Sequence, residues 1–68
     1  MTRVRINGIE EEIASTTVAE LLVARGVDPA TRFLAIAVNG AVVRRGEWVS
    51  RELSPGDTVE IVRPLQGG

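Results

Sequence analysis

Two Asn-Gly dipeptides, Asn7-Gly8 and Asn39-Gly40, constrain this chain more than any other feature. Each sits between two short runs of apolar residues. A two-residue type I′ turn needs positive φ at both central positions, and Asn-Gly reaches it at low cost, so each dipeptide predicts a tight β-hairpin. In the first, Val4 and Ile6 share one face of a strand from Thr2 to Ile6, and Arg3 and Arg5 share the other. The return strand runs from Ile9 to Ile13. Glu11 lies between two isoleucines on its apolar face, which marks a weaker strand at a sheet edge. Its run Glu10-Glu11-Glu12 makes a solvated face that discourages edge-to-edge pairing. In the second hairpin, Leu34, Ile36 and Val38 alternate with Ala35 and Ala37, and Ala41 to Arg44 returns.

Between the hairpins the period changes from two to that of a helix. Thr17-Val18-Ala19-Glu20 fits a capping box, with Thr17 as N-cap and Glu20 reaching back to the cap N–H. Val18, Leu21 and Leu22 then form an apolar stripe, and Gly26 reads as the left-handed residue that ends the helix. A helix of two to three turns cannot stand alone and must lie on a sheet. Val27 to Arg32 is a loop around Asp28-Pro29. Arg45 to Leu53 is irregular, with a single helical turn around Glu47 to Val49, and Trp48 is expected to lid the core from it. Ser54-Pro55-Gly56-Asp57 is a turn, and Thr58 to Arg63 is the last strand, with Val59 and Ile61 inward and Thr58, Glu60 and Val62 outward. Pro64 cannot donate to a ladder and stops it.

At 68 residues this is one domain, spanning 1–68, that buries roughly 60% of its unfolded surface. Its core must be aliphatic, since Phe33 and Trp48 are the sole aromatics. The order hairpin, helix, hairpin, irregular segment, strand points to a two-layer α+β architecture. It is a mixed sheet of about five strands with one main helix packed across one face. The same order is that of the β-grasp, or ubiquitin-like, fold. That resemblance implies a last strand running parallel to the first in the middle of the sheet, rigid at its base and free beyond it.

Composition excludes most chemistry. There is no Cys, hence no disulfide, thiolate ligand or thiol nucleophile. There is no His, the usual neutral-pH base and metal ligand, and no Lys for Schiff-base chemistry. All eight basic residues are Arg, which stay protonated. The expectation is a protein that is not an enzyme and binds no metal or cofactor of its own. A net charge of −1 with scattered Arg and few aromatics argues against nucleic acid. No apolar run approaches a membrane span, there is no signal-peptide core, and a cytoplasmic location is expected.

What remains is the closing stretch Arg63-Pro64-Leu65-Gln66-Gly67-Gly68. A flexible tail over 64–68 could reach roughly 13 Å beyond Pro64. Gly67 and Gly68 carry no Cβ, so they can thread a narrow channel. The Gly68 carboxylate is ionised at neutral pH and is a poor electrophile. To react it must become a mixed anhydride such as an acyl adenylate. Nothing in the chain binds ATP: no glycine-rich phosphate loop opens a helix. A partner must therefore activate it.

Val38-Asn39-Gly40, Val43, Arg44, Glu47-Trp48, Leu53, Gly56-Asp57, Val59-Glu60-Ile61 and Gln66-Gly67-Gly68 together resemble the sulfur carrier family of thiamine biosynthesis, ThiS. The Arg…Glu-Trp stretch and the Gln-Gly-Gly ending favour it over the small subunit of molybdopterin synthase and over ubiquitin-like modifiers conjugated through Gly68, which remain the alternatives. The resemblance implies an adenylating partner of the ubiquitin-activating type that uses ATP and Mg²⁺ on Gly68. It implies a sulfur donor, such as a cysteine desulfurase or sulfurtransferase, that leaves a thiocarboxylate there. It also implies a thiazole synthase that accepts the sulfur. Gly67 is the threading residue. For docking, Ala35, Ala37 and Val62 are expected on the sheet face away from the helix, beside Thr58 and Glu60, with Leu65 and Gln66 next to the tail.

Overall fold

The computed structural model describes residues 1–63. Both Asn-Gly dipeptides form the turns their chemistry demands. Asn7 and Gly8 have φ of 49° and 87°, and Asn39 and Gly40 of 53° and 82°. They join β1 (Thr2–Ile6) to β2 (Ile9–Ile13) and β3 (Ala35–Val38) to β4 (Ala41–Val43). Between the hairpins lies α1 (Val18–Ala24), and the last strand is β5 (Thr58–Val62). The sheet order is β2-β1-β5-β3-β4. β5 runs parallel to β1 and antiparallel to β3, so the last strand occupies the centre and β2 an edge, as expected for a β-grasp.

Alternation decides which side chains meet the helix. Val4 and Ile6 of β1, Ile36 and Val38 of β3, Val43 of β4 and Val59 of β5 are buried with Val18, Leu21 and Leu22 of α1. Ile61 packs against this core from a half-buried position. Ile9 departs from its reading as an inward residue: it is 64% exposed. It sits at the turn corner of the edge strand, with Ile6 as its cross-strand partner and no strand on its other side. Glu11 lies opposite Val4, and its carboxylate takes the Arg25 guanidinium at 2.8 Å just beyond α1. The charged residue in the apolar face of β2 is thus paired with the end of the helix.

α1 begins at Thr17, whose hydroxyl accepts from the Glu20 backbone N–H at 3.2 Å. The reciprocal bond differs from the expected capping box. The Glu20 carboxylate accepts chiefly from the backbone N–H and the hydroxyl of Thr16, each at 2.7 Å, and the Thr17 N–H is the weakest of the donors that act on it. Two donors on Thr16 outbid one. The helix ends in a Schellman arrangement: Val27 N–H donates to the Leu22 carbonyl (2.9 Å) and Gly26 N–H to that of Val23 (3.0 Å), with Gly26 at φ 75°. Leu22 and Val27, the pair that such a cap brings together, are both buried.

Those Glu20 bonds have a pH consequence. The Thr16 backbone N–H first, and its hydroxyl second, hold the Glu20 carboxyl below its ordinary value, against a smaller opposing push from burial. The folded-state pKa is the lower one. The stability it contributes is therefore complete above the ordinary glutamate range and lost as pH falls through the folded-state value. Glu20→Gln is expected to melt below the wild type at neutral pH, with the gap narrowing on acidification. A gap in melting temperature that stays constant across the acid limb would contradict this.

The connection from β4 to β5 closes the core. Its helical turn is a 3-10 turn at Arg45–Glu47, earlier than the Glu47–Val49 turn expected from the sequence, with Arg44 as its N-cap. The earlier start brings Trp48, the next residue, inward and leaves Val49 exposed. Trp48 is 3% exposed, and its Nε1–H donates to the Val43 carbonyl at 2.9 Å. The Arg45 guanidinium lies over the indole, 4.6 Å from its centroid, and also donates to the carbonyls of Pro29 and Thr31. The segment serves the helix too. The orphan N–H groups of Val18 and Ala19 donate to the carbonyls of Arg51 and Trp48, at 3.0 Å each. No helix of the described residues is long and apolar enough to cross a membrane.

Candidate docking face and root of the C-terminal segment

β5 leads directly into the Gly-Gly end, so the way it is held defines the site. On one side it has a full partner: Ala35, Ile36, Ala37 and Val38 of β3 lie opposite Val62, Ile61, Glu60 and Val59. On the other side β1 accompanies it for two residues only, Arg5 beside Thr58 and Ile6 beside Val59. Beyond Ile6 the chain turns away into the first hairpin. The Asn7 side chain takes its place. Asn7 Oδ1 accepts from the Ile61 N–H at 2.8 Å, and Nδ2 donates to the Ile61 carbonyl at 3.3 Å. The Asn7 backbone N–H donates to the Val59 carbonyl at 2.9 Å.

The second hairpin does the same at the other end of β5. Asn39 Oδ1 accepts from the Thr58 N–H at 2.9 Å, and the Asn39 N–H donates to the Thr58 carbonyl at 2.7 Å. Its Nδ2 donates to Asp57 Oδ1 at 3.0 Å, while Asp57 Oδ2 accepts from the Ser54 N–H at 2.8 Å. Asp57 is the buried charged residue of the described structure, and its Gly56-Asp57 turn is the start of β5. Sequence reasoning saw both Asn-Gly pairs as turns and missed these second roles, because their partners lie 54 and 19 positions away.

The sheet face away from α1 divides in two. Over β1 and β2, Arg3 pairs with Glu10 and Glu12, and Arg5 with Glu10, all at 3.4 Å. These are exposed pairs that contribute little to stability, but they make that half polar. Over β5, β3 and β4 the register carries the expected set. Ala35 lies opposite Val62, Ala37 opposite Glu60, and Thr58 follows on the same side of β5. Ala35 and Val62 are exposed, and Ala37 is half-buried. Val42, opposite Ala37, extends this row and is 76% exposed. Sequence reasoning did not assign it, since Ala41-Val42-Val43 is apolar throughout and shows no alternation. Leu65, Gln66, Gly67 and Gly68 lie outside the described residues.

Two further features lie near the start of β3 and the end of β5, the second of them on the helix side of the sheet. Phe33 is exposed just before β3 in the left-handed region, at φ 62°, with the Arg32 guanidinium 5.4 Å from its ring centroid. A shallow cleft at the end of β5 is lined by Asn7, Ala24, Arg25, Val27, Ile61 and Arg63. Among the described residues no group of His, Cys, Asp or Glu is arranged to hold a metal ion. The site as built offers a small apolar surface and a tethered strand end.

Comparison with known proteins agrees with this geometry. The chain is similar to the crystal structure of a thiamine biosynthesis protein, ThiS, from Geobacter metallireducens. The two share 27% sequence identity and a TM-score of 0.79, over 98% of this chain and 100% of that one. An NMR solution structure of a thiamine biosynthesis protein from the same organism matches at 26% identity and a TM-score of 0.80, over 98% of this chain and 88% of that one. No curated protein matches. The model of the ThiS family matches residues 4–68, from within β1 through the helix and the rest of the sheet to the Gly-Gly end, and this chain belongs to the ThiS family.

Proposed function

We propose that this protein is a sulfur carrier for thiazole synthesis in thiamine biosynthesis, with the Gly68 carboxylate as the carrying group. The family match that runs through Gly68 is the observation that carries this reading. Three features support it. The chain has no Cys, His or Lys to do chemistry of its own. β5 is the central strand, held on both sides, so the segment that follows starts from a fixed root. The neighbouring half of the open face carries the exposed apolar side chains of Ala35, Val42 and Val62 beside Thr58 and Glu60, a surface suited to a protein partner.

The chemistry then falls to partners. An adenylating enzyme of the ubiquitin-activating type uses ATP and Mg²⁺ to join the Gly68 carboxylate to AMP, releasing pyrophosphate. The terminal sulfur of a persulfide, supplied by a cysteine desulfurase or sulfurtransferase, attacks the acyl carbon and AMP leaves. A second thiol then attacks the donor's own sulfur, so that the S–S bond of the original persulfide breaks, a disulfide forms on the donor side and the thiocarboxylate is released on Gly68 for thiazole synthase to consume. Gly67 lets the segment thread an active-site channel. Ala35, Ala37, Val42 and Val62 dock the body, with Leu65 and Gln66 beside the threaded end.

Incubation with the activating enzyme, ATP, Mg²⁺ and a persulfide donor tests this by intact mass. A product heavier by the difference between sulfur and oxygen is expected. An unchanged mass would refute the carrier reading. A ladder of conjugates would point instead to a modifier, and sulfur transfer to a molybdopterin precursor rather than to thiazole would point to the other sulfur-carrier pathway. The docking face makes its own prediction. Val62→Asp places a charge on the exposed apolar row and is expected to raise the KM for the activating enzyme about tenfold or more, through the desolvation of an unpaired carboxylate. Its circular dichroism should match the wild type. An unchanged KM would remove this face from the interface.

A further inference from the structure

We propose that Asn7 is a positioning residue for the C-terminal segment, its carboxamide standing in for the strand that β1 fails to provide. The inference rests on the sulfur-carrier reading for its consequence in activation, and on geometry alone for the clamp. Along β5 the backbone groups of successive residues point to opposite neighbours. Glu60 and Val62 lie opposite Ala37 and Ala35 of β3, while Val59 and Ile61 present theirs toward β1. Val59 is served there by the Asn7 backbone N–H, and Ile61 by the Asn7 side chain alone, through both its N–H and its carbonyl. A side-chain amide presents an NH₂ donor and a carbonyl acceptor side by side, so it serves the carbonyl and the N–H of one residue at once and completes a two-bond ladder step. Ile61 is the last residue of β5 tied on that side, with only Val62 and Arg63 between it and the undescribed 64–68 segment.

Without the carboxamide, β5 beyond Val59 would hang from β3 alone. The end of β5 could then swing about that single ladder, and the direction in which the chain leaves Val62 and Arg63 would no longer be set. A terminus that must reach a reacting atom loses rate when its approach is not pre-ordered. Asn39 is the internal control. It occupies the same turn position in the same turn type, but its carboxamide holds Thr58 at the far end of β5.

Asn7→Gly tests the assignment, since glycine keeps the positive φ of the turn and removes only the carboxamide. Hydrogen exchange at the Ile61 amide should accelerate about tenfold or more, while the Val62 and Leu21 amides keep wild-type protection. With the activating enzyme, kcat/KM for adenylation should fall about tenfold, the worth of one to two hydrogen bonds. Asn39→Gly should lower the melting temperature yet leave both Ile61 exchange and kcat/KM at wild-type values. Asn7→Asp keeps the acceptor for the Ile61 N–H but sets an oxygen against the Ile61 carbonyl, and should lie between wild type and Asn7→Gly in both readouts. Unchanged Ile61 exchange in Asn7→Gly would overturn the clamp. Equal losses of kcat/KM in Asn7→Gly and Asn39→Gly would overturn the positioning role and leave a general stability effect. If the wild type itself is not adenylated, the sulfur-carrier reading fails, and the exchange measurement still decides the clamp.

Discussion

Deleting Gly68 is expected to abolish thiocarboxylate formation while leaving the melting temperature unchanged. The two halves of this expectation have separate physical grounds. In the proposed cycle the reacting group is the Gly68 carboxylate, and the deletion leaves Gln66-Gly67, whose terminus lies one residue short of the position that Gly68 reaches. A displacement of one residue moves the reacting carbon by ~3.3 Å, far more than the ~1 Å misplacement that already costs on the order of a hundredfold in rate. Appending a residue after Gly68 should be equally damaging. The body is a different matter, because every buried apolar side chain of the described core lies between Val4 and Val59. Intact mass after incubation with activating enzyme and persulfide donor reads the first half, and a thermal melt reads the second. Residual thiocarboxylate at more than trace level would displace Gly68 as the carrying residue. A lower melting temperature would mean that the last residue packs on the body. Gly67→Trp extends the series: the carboxylate remains, but the proposed threading leaves no room for a bulky side chain, and adenylation should slow.

Trp48→Ala is expected to leave the protein largely unfolded at 37 °C. The indole is buried, its N–H satisfies the Val43 carbonyl, and Arg45 stacks on its face while tying down the 29–31 loop. The Trp48 carbonyl also caps Ala19 at the start of α1. Truncating a buried Trp costs about 3–5 kcal/mol through lost transfer and the cavity left behind. A domain of this size has in total roughly 3–10 kcal/mol to lose. Trp48→Phe keeps most of the volume and loses the Val43 bond, so it should retain a cooperative transition at reduced stability. Urea unfolding followed by circular dichroism checks both. A Trp48→Ala variant that melts like the wild type would contradict the reading of Trp48 as the closure of the core.

The same residues show how much of the site could be read beforehand. The two hairpins, the helix and its Gly26 stop, the Gly56 turn and the inward set of β5 are local. Each follows from turn chemistry or side-chain period within a few residues, and each stands in the structure within one residue of where the sequence placed it. β3 begins at Ala35 rather than Leu34, β4 ends at Val43 rather than Arg44, and β5 ends at Val62 rather than Arg63. The Ala35, Ala37 and Val62 face was legible for the same reason, since alternation alone assigns a face. Ile9 and Val42 were not. The exposure of Ile9 depends on how far a seven-residue helix covers the edge strand, and that of Val42 on the register that turns it, with Ala37, to the face away from α1. The 3-10 turn at Arg45–Glu47 escaped because the core position of Trp48, not propensity, sets its phase.

By itself, then, the sequence determined the elements, their order and the absence of any intrinsic nucleophile or base among Cys, His and Lys. Turn geometry and helix caps depend on neighbours along the chain, so short-range chemistry suffices to specify them. Only the tertiary structure decided what the hairpin asparagines do beyond turning. Asn7 meets Ile61 and Asn39 meets Thr58 because β5 enters the sheet between β1 and β3. Nothing in local spacing encodes a hydrogen bond to a residue 54 positions away. That bond exists only once the core has drawn the last strand into the centre, where β1 is too short to serve it and a side chain must.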